Sequence, residues 1–171
     1  MRFLVNFLYI FNISVKFIMI NKIDRKILTL LQENCRVPIA ETASKVGLSL
    51  SACHRRIGQL EKAGLIERYA ARLNGAALGY GMIFYLEVSL ESQAESALTA
   101  FETAALANDH VLECHLMTGD ADYLIKVACT DTQDYEQLYR RTIAALPHVT
   151  KIKSSLVMKT VKRWKGYPPL P

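Results

Sequence analysis

One stretch of the chain, LSLSACHRRIGQLEKAG at 48–64, places hydrogen-bonding and cationic side chains at helical spacing. At 100° per residue, its apolar residues fall on one face of a helix and its polar residues on the other, with no acid before Glu61. Such a helix fits the major groove of DNA, where polar side chains reach base edges and cations meet phosphates. The candidate DNA contacts are Ser49, Ser51, His54, Arg55, Arg56, Gln59, Lys62 and, just after the helix, Arg68.

An earlier helix is needed to support this face. Apolar residues occur at positions 23, 27, 30 and 31, which is the spacing of one helical stripe. Asn21, with Asp24 three residues later, is a typical helix start. We therefore expect a first helix that begins just after Asn21.

Two further helices follow a proline. Pro38 precedes a short helix over about 39–46, Gly47 ends it, and Ser49 can cap a third helix over about 50–63. Two helices joined by the tight turn VGLS, the second of them polar and basic, are typical of a helix-turn-helix. A generic three-helix bundle with a charged face is the alternative.

The residues after Gly64 suggest a wing. Apolar residues at 66, 69 and 71 alternate weakly and favour a short β-hairpin. This wing would bring Arg68 and Arg72 close to a DNA backbone. The predicted DNA-binding domain therefore covers 19–72, and the glycine-containing linker LNGAALGYG leads out of it into a second unit.

The second unit, at about 82–160, alternates strands with helices. Its predicted order is β-α-β-β-α-β, with a Gly-containing turn, TGDA, between the two central strands. Right-handed crossovers then give a four-stranded antiparallel sheet with two helices on one face, the ferredoxin-like arrangement. We expect the uncovered face to be partly apolar and to pair with a second copy, sheet against sheet. The strand residues available for one face or the other include Tyr85, Cys114, Leu116, Leu124 and Leu156.

Charge is distributed unevenly along the chain. Residues 21–75 carry ten Lys or Arg against five acids, whereas 81–148 carry three against eleven. Residues 149–171 carry six cations and no acid. The basic N-terminal part is a candidate for phosphate contact, with a solvated helical face as the alternative. The basic, Pro-rich tail at 161–171 either packs at a dimer edge or adds phosphate contacts.

The cysteines indicate a reducing compartment. Cys35, Cys53, Cys114 and Cys129 show no CxxC spacing and lie in apolar or helical contexts, so we expect four reduced, buried thiols. We expect no metal ion, no cofactor and no catalytic residue.

Four segments resemble the Lrp/AsnC (feast/famine) family of bacterial and archaeal transcription regulators: INKIDRKILTLLQENCR, SKVGLS, ACHRRIGQLEKAGLI and ECHLMTGDADYLIKV. The resemblance runs from Met19 to about Lys162. It implies an α+β chain, with an N-terminal winged helix-turn-helix and a C-terminal βαββαβ domain that senses a ligand. It also implies homodimers that assemble into tetramers or octamers, a double-stranded DNA partner, and a cytoplasmic, nucleoid-associated location. This family often has prolines at the start of the recognition helix, where this chain has SLSAC, so the operator sequence cannot be carried over.

The resemblance also implies an effector site at a dimer–dimer contact, around the turn between the central strands. The effectors of this family are usually amino acids, and such a zwitterion needs an acceptor for its ammonium group and donors for its carboxylate. Asp120 or Asp122 can accept, while backbone N–H groups at Gly119 and the Thr118 hydroxyl can donate. Met117, Leu124 and Leu156 would form an apolar pocket for the side chain. The implied effector contacts are Met117, Thr118, Gly119, Asp120, Asp122, Tyr123, Ser155 and Leu156. The alternatives are that the turn is an ordinary hairpin turn and that Asp122 is structural.

Two other functions compete with this one. Some haem-pathway decarboxylases resemble this fold and use catalytic histidines. If this chain were such an enzyme, its candidates would be His110, His115 and His148, although no two of them have metal-ligand spacing. The other alternative is a sensor that does not bind DNA and only co-assembles with related regulators.

The first twenty residues, MRFLVNFLYIFNISVKFIMI, are apolar and aromatic. Asn6, Asn12, Ser14 and Lys16 interrupt them, so we expect no membrane span, and no small-residue cleavage site for a signal peptide is present. A hydrophobic arm packing on a partner is one alternative. Our hypothesis is that residues 1–18 are translated upstream sequence from a misassigned start, and that the working chain begins at Met19.

Overall fold

The computed structural model describes residues 20–168. The described chain forms two compact units, which we call the head (residues 20–71 with 164–168) and the sensor unit (residues 72–163). The hypothesis about residues 1–18 therefore lies outside the described residues. Between residues 20 and 168, no helix is both long enough and apolar enough to cross a membrane.

The head contains the three predicted helices, α1 (Lys22–Glu33), α2 (Ile39–Val46) and α3 (Leu50–Lys62). The predicted start of α1 is confirmed as a capping box: the Asn21 side chain accepts from the backbone N–H of Asp24, and the Asp24 carboxylate accepts from the backbone N–H of Asn21. One small core joins the three helices. Its buried residues are Ile27, Ala43, Cys53, Ile57 and Leu60.

The turn between α2 and α3 fixes the direction of α3. Gly47 has φ 72°, a left-handed conformation that glycine adopts without strain, and Leu48 N–H donates to the carbonyl of Ala43 at 2.9 Å. Ser49 then caps α3, since its Oγ accepts from the N–H of Ala52 at 3.2 Å. Both expectations for this turn are confirmed.

The wing differs from its prediction. Residues 67–74 contain no strand, so the expected β-hairpin is not formed as a hydrogen-bonded ladder. Instead, the Tyr69 hydroxyl donates to a carboxylate oxygen of Glu61 on α3 at 2.8 Å. Apolar alternation at three positions was too short a signal to specify strand pairing, and this side-chain contact holds the segment against α3.

The sensor unit has the predicted βαββαβ order. After a 3₁₀ turn at Ala76–Leu78, its elements are β1 (Met82–Leu90), α4 (Glu95–Leu106), β2 (Val111–Leu116), β3 (Tyr123–Cys129), α5 (Thr132–Leu138) and β4 (Val149–Leu156). The last turns after α5, Tyr139–Ile143, are π-helical. The sheet is antiparallel with strand order β2-β3-β1-β4, which confirms the predicted arrangement.

One face of the sheet is buried under both helices. Alternate residues of β1 and β3 are buried, and they pack against α4 and the segment from α5 to residue 146. Strand partners that lie directly opposite each other share a face, so Cys114, Leu116 and Leu156 also belong to this side, opposite Ile125, Tyr123 and Phe84. The largest of the fully buried side chains here are Tyr123, Phe101, Leu86, Ile125 and Ile143.

The uncovered face is more charged than expected. Tyr85 and Leu124 lie on it, but so do two ion pairs between neighbouring strands. Glu113 Oε1 lies 2.6 Å from Lys126 Nζ, and Glu87 Oε2 lies 3.2 Å from Lys153 Nζ. The expectation of a partly apolar face therefore holds only for its middle, because the polar members of each period-2 pattern point to this side.

The thiols are not all buried. Cys53 and Cys129 are buried and Cys114 is half-buried; burial raises the pKa of all three thiols, that of Cys129 to about 11. Cys35, in contrast, is exposed, so the expectation of four buried thiols was wrong at that position. The residue lies in the loop after α1, beyond the helical stripe that packs into the core.

A matched pair of glycine substitutions tests the helix-turn-helix geometry. Gly47→Ala should lower the free energy of unfolding by about 1 to 2 kcal/mol, since alanine is strained at φ 72°. Gly58→Ala should raise it by about 0.5 to 1 kcal/mol, because Gly58 lies inside α3 and a Cβ there would meet no atom within 4 Å. Urea unfolding of both variants measures this. Equal effects of the two substitutions would contradict the assigned turn.

Candidate nucleic-acid interface and effector turn

The polar residues of α3 form one exposed surface, which we call the α3 face. Ser51, His54, Arg55, Gln59 and Lys62 are all exposed, as the helical spacing predicted. The opposite side of α3 is buried in the head core. The structure therefore brings five of the predicted DNA contacts together on one surface that carries donors and cations. Arg68 is exposed but lies beyond the end of α3.

Ser49 has a structural role at the start of α3. Its Oγ accepts from Ala52 N–H and lies 3.3 Å from the Oγ of Ser51. The hydroxyl thus satisfies one of the otherwise unpaired N–H groups of the first turn.

Arg56 does not belong to the α3 face. Its Nε lies 2.5 Å from Asp24 Oδ1, and its Nη2 lies 3.0 Å from Asp24 Oδ2, a bidentate pair with a carboxylate whose side chain is only 8% exposed. The Asp24 carboxylate raises the pKa of Arg56. Helical angles would have indicated this position, because residue 56 is 140° from residue 51 and lies on the edge of the buried side. This pairing favours a structural role for Arg56 over the predicted DNA contact.

A crevice of about 280 Å³ opens beside the α3 face. It lies between the end of α1, the loop that follows, and the middle of α3. Its lining includes Leu31, Cys35, His54, Gly58 and Tyr69. The end of α1 is therefore a neighbour of the α3 face within the head.

The turn between β2 and β3 exposes a short polar segment. Met117 N–H donates to the carbonyl of Asp122 at 2.8 Å, which closes the turn. Gly119 has φ 137°, a conformation that favours glycine. Met117, Thr118, Gly119 and Asp120 are all exposed. This segment thus presents backbone groups, a hydroxyl and one carboxylate to solvent.

Asp122 is part of the scaffold of this turn. Its Oδ2 accepts from Leu90 N–H at 2.7 Å and its Oδ1 accepts from the Gln93 amide at 2.8 Å. Its own N–H donates to the carbonyl of Val88. Both carboxylate oxygens are engaged within the chain, which favours the structural alternative for Asp122 and leaves Asp120 as the exposed acid.

Tyr123 is not available to an effector at this turn. Its side chain is buried on the helix-covered face, and its hydroxyl donates to Glu102 Oε1 at 2.7 Å. Burial is the main cause that raises the pKa of the Tyr123 phenol, and the hydrogen bond to Glu102 raises it further. This burial disfavours the predicted effector contact of Tyr123, and it arises because the strand alternation that buries Ile125 also buries Tyr123.

Ser155 and Leu156 lie far from the turn within one chain. Ser155 pairs with Tyr85, whereas the turn begins beyond the pairing of Tyr123 with Val88. This separation is roughly 10 Å along the strands and about 10 Å across two strand spacings. Leu124 and Leu156 also lie on opposite faces. One chain by itself therefore does not form the expected apolar pocket.

The histidines of the sensor unit are dispersed. His148 Nδ1 lies 2.6 Å from Glu91 Oε1, and His115 Nε2 lies 3.8 Å from Glu113 Oε2. Within residues 20–168, no three His, Cys, Asp or Glu side chains are grouped so that they could hold a metal ion.

Comparisons with known proteins match both units. Residues 20–67 match a winged helix-turn-helix DNA-binding family, and residues 83–166 match the Lrp/AsnC ligand binding domain. The chain is 35% identical to the leucine-responsive regulatory protein of Escherichia coli K12 over 144 residues, which is 84% of this chain and 88% of that protein. It is also similar to the crystal structure of a Neisseria meningitidis transcriptional regulator in complex with L-Met (TM-score 0.82, 34% identity, 86% of this chain and 96% of that one). An AsnC family regulator from Agrobacterium tumefaciens gives a TM-score of 0.81 at 32% identity, over 86% of this chain and 96% of that one.

Adjacent arginines on α3 allow a direct test of these roles. Arg56→Ala should lower the free energy of unfolding by about 2 kcal/mol, because it leaves the buried Asp24 carboxylate without its cation. Arg55→Ala, on the exposed face, should change it by less than about 0.5 kcal/mol. Urea unfolding followed by circular dichroism gives both values. Similar costs for the two substitutions would refute the division of roles.

Proposed function

Because the chain belongs to the Lrp/AsnC family of DNA-binding transcriptional regulators, we propose that it binds specific operator sequences in double-stranded DNA and that a small effector, an amino acid, modulates this binding through oligomeric assembly. It would act on the chromosome, in the cytoplasm. The observation that carries the proposal is the α3 face: five polar or basic side chains on the second helix of a helix-turn-helix, all of them exposed.

The α3 face suits the major groove. An α-helix fits into this groove, and the His54, Arg55 and Gln59 side chains offer donors and acceptors that base edges can pair with. Ser51 and Lys62 would meet phosphates, which position the helix but do not read sequence. The net positive charge of residues 21–75 supports this assignment, since it favours approach to a polyanion.

The exposed turn suits the charged groups of a free amino acid. Asp120 would accept from the ammonium group, while Thr118 and the backbone N–H groups beside Gly119 would donate to the carboxylate. The E. coli relative is leucine-responsive by name, and the Neisseria relative was solved with L-Met. Both relatives favour an amino acid with an apolar side chain.

Assembly would complete this site. The turn and the Ser155–Leu156 segment lie at opposite ends of one sheet, so a ligand that touches both would need segments from two copies. The uncovered face, with its two cross-strand ion pairs around Tyr85 and Leu124, is the proposed dimer surface. A ligand held between copies stabilises one assembly over another, and this difference in affinity is the coupling to DNA binding.

The DNA-binding proposal is tested by a gel shift on the promoter region upstream of the chain's own gene. Arg55→Gln should weaken binding to the preferred site by about 10- to 100-fold, the effect of losing one bidentate or phosphate contact. The matched control is Arg140→Gln, an arginine of the sensor unit that is also exposed, which should leave affinity unchanged.

Binding should also weaken steeply as salt rises, because phosphate contacts release counterions. If the wild-type chain shows no salt-sensitive DNA binding, the proposal is wrong, and the alternative of a co-assembling sensor that does not bind DNA is favoured.

The effector proposal is tested by thermal unfolding with each of the twenty amino acids. A ligand that binds only the folded chain raises Tm, and we expect leucine or methionine to do so. Asp120→Asn should abolish this ligand-induced rise without lowering Tm in its absence, since Asp120 is exposed.

Asp122→Asn provides the contrast. It should lower Tm with or without ligand, because a neutral amide replaces a carboxylate that accepts two hydrogen bonds. A ligand-induced rise that survives in the Asp120 variant would remove Asp120 from the site.

A further inference from the structure

The C-terminal tail returns to the head and is fastened there. Residues 164–168 group with the head, whereas residues 72–163 form the sensor unit. The Gln32 side chain, at the end of α1, forms both hydrogen bonds of this fastening: its Nε2 donates to the carbonyl of Tyr167 at 2.6 Å, and its Oε1 accepts from Tyr167 N–H at 3.0 Å. The Gln32 side-chain amide thus binds both the backbone N–H and the backbone carbonyl of Tyr167.

A glycine makes this close approach possible. Gly166 has φ 113°, and a Cβ placed there would overlap the amide end of the Gln32 side chain. Any other residue at 166 would therefore be strained by its backbone conformation and would also push Gln32 away. This contact requires a glycine at position 166 and an amide side chain at position 32, so it is more specific than an ordinary surface contact.

The chain is strongly basic at and just before the segment held by Gln32. Lys162, Arg163 and Lys165 are all exposed, and no acid occurs between residue 149 and the end of the chain. Lys162 precedes Trp164 by two residues, so the chain cannot carry it more than about 7 Å from that residue's backbone. Lys165 is two residues from the anchored Tyr167, so its backbone lies within about 7 Å of that residue, whereas Lys162, five residues away, can lie up to about 18 Å from it.

Gln32, which anchors the tail, lies at the end of α1 that is close to the α3 face. Gln32 directly follows Leu31, which lines the crevice beside α3 together with His54 and Gly58. Lys165, two residues before the anchored Tyr167, is thus tethered next to the end of α1 that borders the α3 face. Trp164 and Tyr167 remain 69% and 76% exposed and meet edge to face at 5.9 Å.

We propose that residues 162–167 form an anchored basic arm that contacts DNA phosphates flanking the site read by the α3 face. This inference rests on the proposed DNA binding and adds to it a second, sequence-independent contact surface outside the helix-turn-helix. The arm would raise affinity for all DNA about equally and would leave the preference among sites to α3. Holding the arm in place before binding reduces the ordering entropy lost when it meets phosphates.

The test compares the full-length chain with the variant K162Q/R163Q/K165Q, measuring affinity for a preferred site and for a random duplex from low to high salt. Loss of three phosphate contacts should reduce the magnitude of the slope of log affinity against log salt concentration by about 2 to 3. Affinity should fall by at least about tenfold, and to the same extent, on both duplexes. The control R140Q/R141Q removes two exposed arginines of the sensor unit and should leave the slope unchanged.

A second variant separates the anchor from the charge. Gln32→Ala keeps all three cations but releases Tyr167, so affinity should fall several-fold while most of the salt slope remains. Wild-type affinity in this variant would overturn the anchoring step.

The outcomes also separate this inference from the proposed function. If the wild-type chain shows no salt-sensitive binding, both fail. If it binds but K162Q/R163Q/K165Q keeps the wild-type slope, only the arm is overturned. A change in assembly mass by light scattering in that variant, at an unchanged slope, would also overturn it and would assign the tail to a contact between copies.

Discussion

The bidentate pair between Asp24 and Arg56 is the interaction on which the head depends. Asp24 serves two helices at once: its Oδ2 caps the first turn of α1 through Asn21, and both of its oxygens hold the guanidinium of α3. A nearly buried carboxylate is costly unless it is paired and hydrogen-bonded, so the pair specifies how α3 rotates about its axis against α1. With Arg56 turned inward, the helical period places Arg55 and Gln59 outward. The orientation of the α3 face thus follows from a contact made on the opposite side of the same helix.

In the sensor unit, the sheet likewise has one buried face and one exposed face. The period-2 alternation of β1 and β3 buries one set of residues under the helices and leaves the other set on an uncovered, partly charged face. At the end of the sheet, Asp122 fastens the β2–β3 turn to the end of β1, so that the neighbouring residues 117–120 are held exposed. In the head, Asp24 acts through Arg56, the neighbour of the exposed Arg55. In the sensor unit, Asp122 directly adjoins the exposed segment 117–120.

These two devices explain how one small chain can carry two kinds of recognition. The exposed cations of the α3 face lie outside a well-packed core, and Gln32 holds the backbone of Tyr167 in the basic tail. The acidic composition of residues 81–148 disfavours contact of the sensor unit with a polyanion. This asymmetry of charge supports the proposal that the head meets DNA and that the sensor unit binds a small ligand.

The sequence by itself determined the elements and their order. Local signals fixed the capping box at Asn21, the left-handed turn at Gly47 and the alternation of β1, because each depends only on residues close in the chain. The α3 face was also predictable, since helical angles alone separate Arg55 from Cys53. Tertiary structure decided which polar residues were already committed to the fold. Arg56 and Asp122 have the same chemistry as neighbouring exposed residues, but their partners are 32 residues away in the chain, at Asp24 and Leu90. Tyr123 and Ser155 were separated for the same reason, since strand register sets face and distance and no local pattern specifies register across four strands.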